Sequence, residues 1–108
     1  MSVTVKEVLT EARRLLNDVG LCKGVLKYVG ADGHVLAYCS MGAIDAAVTR
    51  LTESVGDTYT LCSQAIKAVQ VAIGGVSGGV SIPTWNDTPE LTKSDVLSAF
   101  SKAIDSCN

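Results

Sequence analysis

TVKEVLTEARRLLNDVG, residues 4–20, is the stretch of sequence that decides the fold class. Its apolar side chains recur every three or four positions, as on one face of an amphipathic helix, and charged residues fill the other face. Thr4 and Glu7 have the spacing of a capping box, and Gly20 stands where the end of a helix favours positive φ. The sequence therefore predicts a helix whose two ends are both specified locally.

Three further segments repeat this helical period. Apolar stripes run over residues 41–55, 58–73 and 96–104. Gly56-Asp57 predicts a stop and restart between the first two, and Thr92 is placed to cap the last one toward Asp95. The stretch GGVSGGVS, residues 74–81, has the composition of a flexible connector.

A small β-hairpin is expected between the first two helices. VLKYV and HVLAY are β-favouring runs, and they flank the turn-rich tetrapeptide Gly30-Ala31-Asp32-Gly33. The chain has 108 residues, which is the length of one domain. We therefore expect a mainly α fold, in which residues 1–108 form a single compact domain of about four helices with this hairpin.

Charge and hydropathy exclude several kinds of partner and location. The formal charge is −2, and the basic residues are scattered, so no patch suited to nucleic acid is expected. The longest apolar region, residues 65–82, is interrupted by polar residues and glycines, which argues against a membrane span. The N-terminal residues lack the unbroken apolar stretch of a secretory signal. We expect a cytoplasmic protein.

Metal binding and catalysis have little support in the sequence. The four cysteines are far apart and there is one histidine, so no metal site and no cofactor are expected. Cys39, near the start of the second helix, and His34 form the only nucleophile and base combination that is available. We expect His34 to be a solvated turn residue and Cys39 to be a core residue. The chain is therefore predicted not to be an enzyme, with cysteine catalysis as the rival hypothesis.

The loop before the last helix concentrates unusual residues. SIPTWNDTPELTKSDVL, residues 81–97, holds the only tryptophan and both prolines. In the favoured interpretation Trp85 plugs the end of the core, while Asn86 and Asp87 satisfy backbone groups of the turn. In the alternative interpretation these three residues bind a partner, or line a ligand pocket together with Cys39 and Gly42.

The second helix also carries a smooth face. Gly42 and Ala46 would allow another backbone to approach closely. A helix crossing within the chain is the favoured explanation for this face, and a homodimer is the alternative.

Three short motifs resemble those of an uncharacterised family of small proteins from actinobacteria and their phages. They are Ala12-x-x-Leu15-Leu16 ending at Gly20, Cys39-x-x-Gly42-Ala43, and Trp85-Asn86-Asp87 followed by Thr92-x-x-x-Val96. The chain departs from the family pattern at Leu21, where a tryptophan would be expected. The resemblance implies a phage or mobile-element context, in which small accessory proteins often bind a host component.

These observations lead to two functional hypotheses. The first is a non-enzymatic small binding protein, a phage or mobile-element accessory factor that engages a host protein. The second is a protein that binds or sequesters a small ligand, for example a nucleotide-like one, in a pocket near the Trp-Asn-Asp loop. In both hypotheses the candidate contact residues are Trp85, Asn86, Asp87, Cys39 and Gly42.

Overall fold

The order of helices and strands is the predicted one, with one short helix added. The computed structural model describes residues 3–52, 58–74 and 81–107. In chain order the elements are α1 (Val5–Asp18), β1 (Lys27–Val29), β2 (Val35–Tyr38), α2 (Ser40–Thr52), α3 (Thr58–Ala72), α4 (Ile82–Asn86) and α5 (Lys93–Asp105). The expectation of a mainly α fold with a hairpin between the first two helices is confirmed.

α1 is central to the core, because its apolar face packs against α2, α3 and α5. The capping box is confirmed: the Glu7 N–H donates to the Thr4 hydroxyl, and the Thr4 N–H donates to the Glu7 carboxylate. Gly20 has φ 138°, in the region that favours glycine. Leu9, Leu16 and Phe100 are fully buried. Each such side chain stabilises the fold by about 1.5–3 kcal/mol.

α5 closes the other side of the core. Thr92 and Asp95 form the capping box that the sequence predicts at the start of this helix. Val96, Phe100 and Ala103 are fully buried. Leu97 and Ile104 are partly buried against the same cluster. The predicted apolar face of α5 is therefore confirmed.

The short helix α4 lies in a stretch that the sequence analysis treats as loop. Ser81 caps it, because the Ser81 hydroxyl accepts a hydrogen bond from the Thr84 N–H. Pro83 stands in its first turn, where the missing N–H costs nothing. Ile82 is 1% exposed, so this turn of helix contributes to the core. A serine cap followed by proline is a helix-start signal. The helix is too short to show the apolar period that would support this signal.

The hairpin formed by β1 and β2 is antiparallel and small. Lys27 pairs with Tyr38, and Tyr28 pairs with Ala37. The pairing of Val29 with Val35 leaves Leu36 as an extra residue, which forms a bulge in β2. On its other side β2 meets Leu21 in a single parallel bridge.

Some expectations lie outside the described residues. These are the stop at Gly56-Asp57 and most of the connector, residues 75–80. Within the described part of the chain, no helix has both the length and the apolar character that crossing a membrane requires.

Glu11 pairs with Arg14 on its own helix and links α1 to α2 through Arg50. Its Oε2 atom lies 2.6 Å from Arg14 Nη2 on the same helix and 2.9 Å from Arg50 Nε on α2. The hydrogen bond from Arg14 holds the pKa of the Glu11 carboxyl below its ordinary value of 4.5. A carboxyl whose pKa is lowered by folding stabilises the folded state above its unfolded pKa, and this stabilisation disappears as the pH falls through the folded value.

Glu11→Gln is expected to lower the free energy of unfolding at neutral pH, because it removes the ion pairs with Arg14 and Arg50. The expected loss is only about 1 kcal/mol, because these ion pairs are partly exposed to solvent. The difference from the wild type should shrink as the pH falls below 4.5. Urea denaturation at neutral and acidic pH measures both effects. Glu90→Gln, at an exposed position before α5, is the control and should change little. A difference for Glu11→Gln that persists at acidic pH would contradict the ionic explanation.

Candidate functional site

Asn86, at the end of α4, joins three separate parts of the chain. Its side chain is fully buried. The Oδ1 atom accepts hydrogen bonds from the Ser40 N–H at 2.9 Å and from the Ser40 hydroxyl at 2.6 Å. The Nδ2 atom donates to the carbonyl of Cys22 at 3.0 Å. One amide group therefore connects α4 to the start of α2 and to residues 21–26, which we call the linker.

Two charged residues, one in the linker and one next to Asn86, attach the linker at further points. Asp87 Oδ1 accepts a hydrogen bond from the Gly24 N–H at 2.9 Å. In the opposite direction, Lys23 Nζ donates to the carbonyls of Thr88 and Leu91, the latter at 2.8 Å. The Asp87 carboxylate therefore satisfies a backbone N–H of the linker, and the Lys23 ammonium satisfies two carbonyls of the segment between α4 and α5.

Cys39 and Gly42 hold the far end of the linker. The Cys39 N–H donates to the Leu26 carbonyl at 2.9 Å. A Cβ atom at Gly42 would overlap that carbonyl oxygen and lie 2.8 Å from its carbon. The backbone that approaches Gly42 is therefore the linker, whereas the sequence analysis favoured a second helix. No local pattern predicts this contact, because Leu26 is distant from Gly42 along the chain and nothing near Leu26 marks it as a packing partner.

Trp85 plays a different part from its two neighbours. It is partly buried and packs against the hydrophobic core. This placement agrees with the interpretation of Trp85 as a plug. Asn86 and Asp87 do bind backbone groups, but those groups belong to the linker and to the start of α2 rather than to their own turn. Four of the five candidate residues thus contact the linker, whereas Trp85 packs against the core.

Sequence reasoning missed two residues of this arrangement. Ser40 is fully buried, and its position at the start of a helix was the only available signal. Lys23 gave no local signal, because its two carbonyl partners lie 65 and 68 positions further along the chain.

The thiols and the histidine near this region are not joined in a reactive arrangement. His34 is exposed, and its Nδ1 atom lies 2.9 Å from Asp32 in the hairpin turn, which lowers the pKa of the Asp32 carboxyl. The Cys39 sulfur accepts a hydrogen bond from the Gly42 N–H at 3.3 Å. Burial raises the pKa of the Cys22 thiol, with Cys39 and Asp87 as smaller causes. A raised pKa keeps this thiol protonated and weakens it as a nucleophile.

Metal ligands do not gather in the described ranges. Across residues 3–52, 58–74 and 81–107, no three side chains of His, Cys, Asp or Glu lie close enough to hold an ion.

The last two residues of the linker and the hairpin that follows them form an exposed apolar surface, which we call the hairpin patch. It consists of Val25, Leu26, Tyr28, Val29 and Leu36, whose exposed fractions lie between 43% and 62%. Large apolar side chains elsewhere in the described chain are mostly in the core. A local concentration of exposed apolar side chains is typical of an interaction surface.

The backbone next to this patch also has an unpaired edge. Among the described residues, β1 pairs with β2 on one side only. The Leu26 carbonyl accepts a hydrogen bond from the Cys39 N–H, just after β2. The Gly30 N–H donates to the His34 carbonyl, just before β2. Because antiparallel strands alternate, the N–H and C=O groups of Lys27 and Val29 face outward. Such an edge can receive a strand from another chain.

Comparison with known proteins gives a family and no function. No curated protein and no solved structure gave a significant match. One family model matches residues 1–106, nearly the whole chain. The expectation of an uncharacterised family is confirmed by this match. The chain belongs to the DUF6197 family, which is described as a family of unknown function.

Proposed function

We propose that this chain is a non-enzymatic protein-binding module that engages a partner protein through the hairpin patch. The observation that carries the proposal is the concentration of exposed apolar side chains at residues 25–36, beside the open edge of β1. A partner segment in extended conformation would bond to the outward groups of Lys27 and Val29. It would also cover Leu26 and Tyr28, which are 62% and 60% exposed.

The contacts around the linker support this proposal, because they make the patch rigid before a partner arrives. A two-stranded hairpin is marginally stable by itself in water. Here its first strand follows a segment that Asn86, Asp87 and Lys23 hold at successive residues. A binding surface that is already ordered loses less conformational entropy on association. The Trp-Asn-Asp loop would thus hold the hairpin patch in place without contacting the partner itself.

The resemblance to proteins of actinobacteria and their phages suggests a host protein as the partner, and the cytoplasmic setting expected from the apolar pattern of the sequence stays a prediction. The small-ligand alternative stays a prediction. The linker fills the space between Gly42 and the Trp-Asn-Asp loop, so a ligand there would have to displace it.

The combined variant Leu26→Ser and Tyr28→Ser tests the proposal. Both side chains are exposed, so the free energy of unfolding should change by no more than about 0.5 kcal/mol for each substitution. Capture of the partner from a native extract should fall at least about tenfold, since central apolar contacts dominate most interfaces. The measurement is the yield of the co-purifying polypeptide, identified by mass spectrometry under non-denaturing conditions.

Tyr59→Ser provides the matched control. Tyr59 is 81% exposed but lies on α3, away from the hairpin. The control variant should capture the same polypeptide as the wild type. Equal capture by the hairpin variant, or loss of capture only in the Tyr59 variant, would overturn the proposal. An added mass of a few hundred daltons in place of a polypeptide would favour the small-ligand alternative.

A further inference from the structure

A groove of about 590 Å³ lies between the first turn of α1, the second half of α3 and the chain just after α5. Its apolar lining comes from Val5, Ala68, Val71 and Cys107. Val71 is 54% exposed although its neighbour Val69 is fully buried. The volume falls within the range of roughly 300–1,000 Å³ that small-molecule sites occupy.

The charged side chains among the described residues that line this groove all have one sign. Lys6 and Lys67 are its ionisable residues other than the Cys107 thiol, and no described aspartate or glutamate lines it. Neither lysine forms an ion pair or a hydrogen bond from its side chain to another described residue. The neighbouring Glu7 carboxylate accepts the Thr4 N–H in the capping box. Two cationic groups thus flank an apolar groove in a chain whose formal charge is −2.

We propose that this groove binds a free medium-chain carboxylate, with its alkyl chain on the apolar lining and its carboxylate at Lys6 and Lys67. The part of α3 that lines the groove runs from residue 64 to residue 71. At 1.5 Å per residue this is about 10 Å, which suits an alkyl chain of medium length. An ammonium group binds a carboxylate through a charge-assisted hydrogen bond, while the stems of the lysines extend the apolar wall.

The site is independent of the hairpin patch. None of the residues that line the groove belongs to the linker, to β1 or to β2. The proposal therefore adds a ligand to this chain without relying on the protein partner. The groove is also separate from the Trp-Asn-Asp loop, where the sequence analysis placed its ligand pocket.

Titration of the full chain with decanoate, followed by calorimetry and by amide NMR shifts, tests the proposal. We expect one decanoate per chain, with shifts concentrated at residues 5–6, 64–71 and 107. The combined variant Lys6→Gln and Lys67→Gln should weaken binding about tenfold or more. Val71→Asp should weaken it by a similar factor of about ten, because a carboxylate on the lining repels the ligand. Lys6, Lys67 and Val71 are all exposed, so neither variant should unfold the protein.

Two comparisons separate this site from general apolar binding. Lys102→Gln removes an exposed lysine on α5 that does not line the groove, and decanoate should bind this variant as it binds the wild type. Decyltrimethylammonium has an alkyl chain of similar length and the opposite charge. Its affinity should be at least about tenfold lower than that of decanoate. Equal binding of the two probes, equal loss in the Lys102 variant, or shifts confined to the hairpin would overturn the proposal. Binding to vesicles of anionic lipid without binding to free decanoate would overturn it as well.

Discussion

Asn86→Ala is expected to lower the free energy of unfolding by about 3 kcal/mol, or the melting temperature by roughly 15 °C. The substitution removes the acceptor of the Ser40 N–H and hydroxyl and the donor to the Cys22 carbonyl. Because Asn86 and Ser40 are fully buried, water does not readily replace these bonds. Thermal and urea denaturation measure the loss.

Asp87→Ala is the matched control for this experiment. Asp87 is the adjacent residue and also binds the linker, but its side chain is exposed and accepts hydrogen bonds from the Gly24 N–H and, at 3.3 Å, from Asn86 Nδ2. Its removal should cost about 1 kcal/mol. If the two variants lost the same stability, the buried amide would not be the residue that organises the linker.

Gly42→Ala is expected to destabilise the fold by about 3 kcal/mol, although alanine is a better helix former than glycine by about 1 kcal/mol. The new methyl group would overlap the Leu26 carbonyl, which is backbone and has no alternative rotamer. The linker would have to move away from α2 and lengthen the bond between the Cys39 N–H and the Leu26 carbonyl. Denaturation measures the loss, and faster hydrogen exchange at the Cys39 amide would locate it.

Thr49→Ala provides the comparison on the same helix. Thr49 is exposed on α2, so alanine there should leave stability unchanged or raise it slightly. A Gly42→Ala variant that is as stable as the Thr49→Ala variant would show that the linker does not press against α2. Since the linker leads into the hairpin patch, we expect Gly42→Ala to weaken partner capture as well.

The elements with local signals could be predicted from the sequence. The capping boxes at Thr4 and Thr92 use residues three positions apart, and the glycine turn of the hairpin uses adjacent residues. Their physical cause lies within one turn of chain, so a single sequence contains it. The short helix α4 had such a signal in Ser81 and Pro83, but a five-residue element has no apolar period to accompany it.

The candidate site had no such local cause. Asn86 and Asp87 were singled out because asparagine and aspartate commonly bind nearby backbone. Their actual partners, Cys22, Gly24 and Ser40, are 46 to 64 positions away. The same holds for Lys23, whose partners follow α4.

The sequence by itself determined the four longer helices, the capped starts of α1 and α5 and the hairpin, because capping and apolar periodicity act between residues a few positions apart. The tertiary structure alone decided that the linker lies between α2 and α4, that Gly42 makes room for Leu26, and that Asn86 connects them. It also decided which apolar residues stay exposed at the hairpin, since burial depends on what packs against a side chain and not on its type.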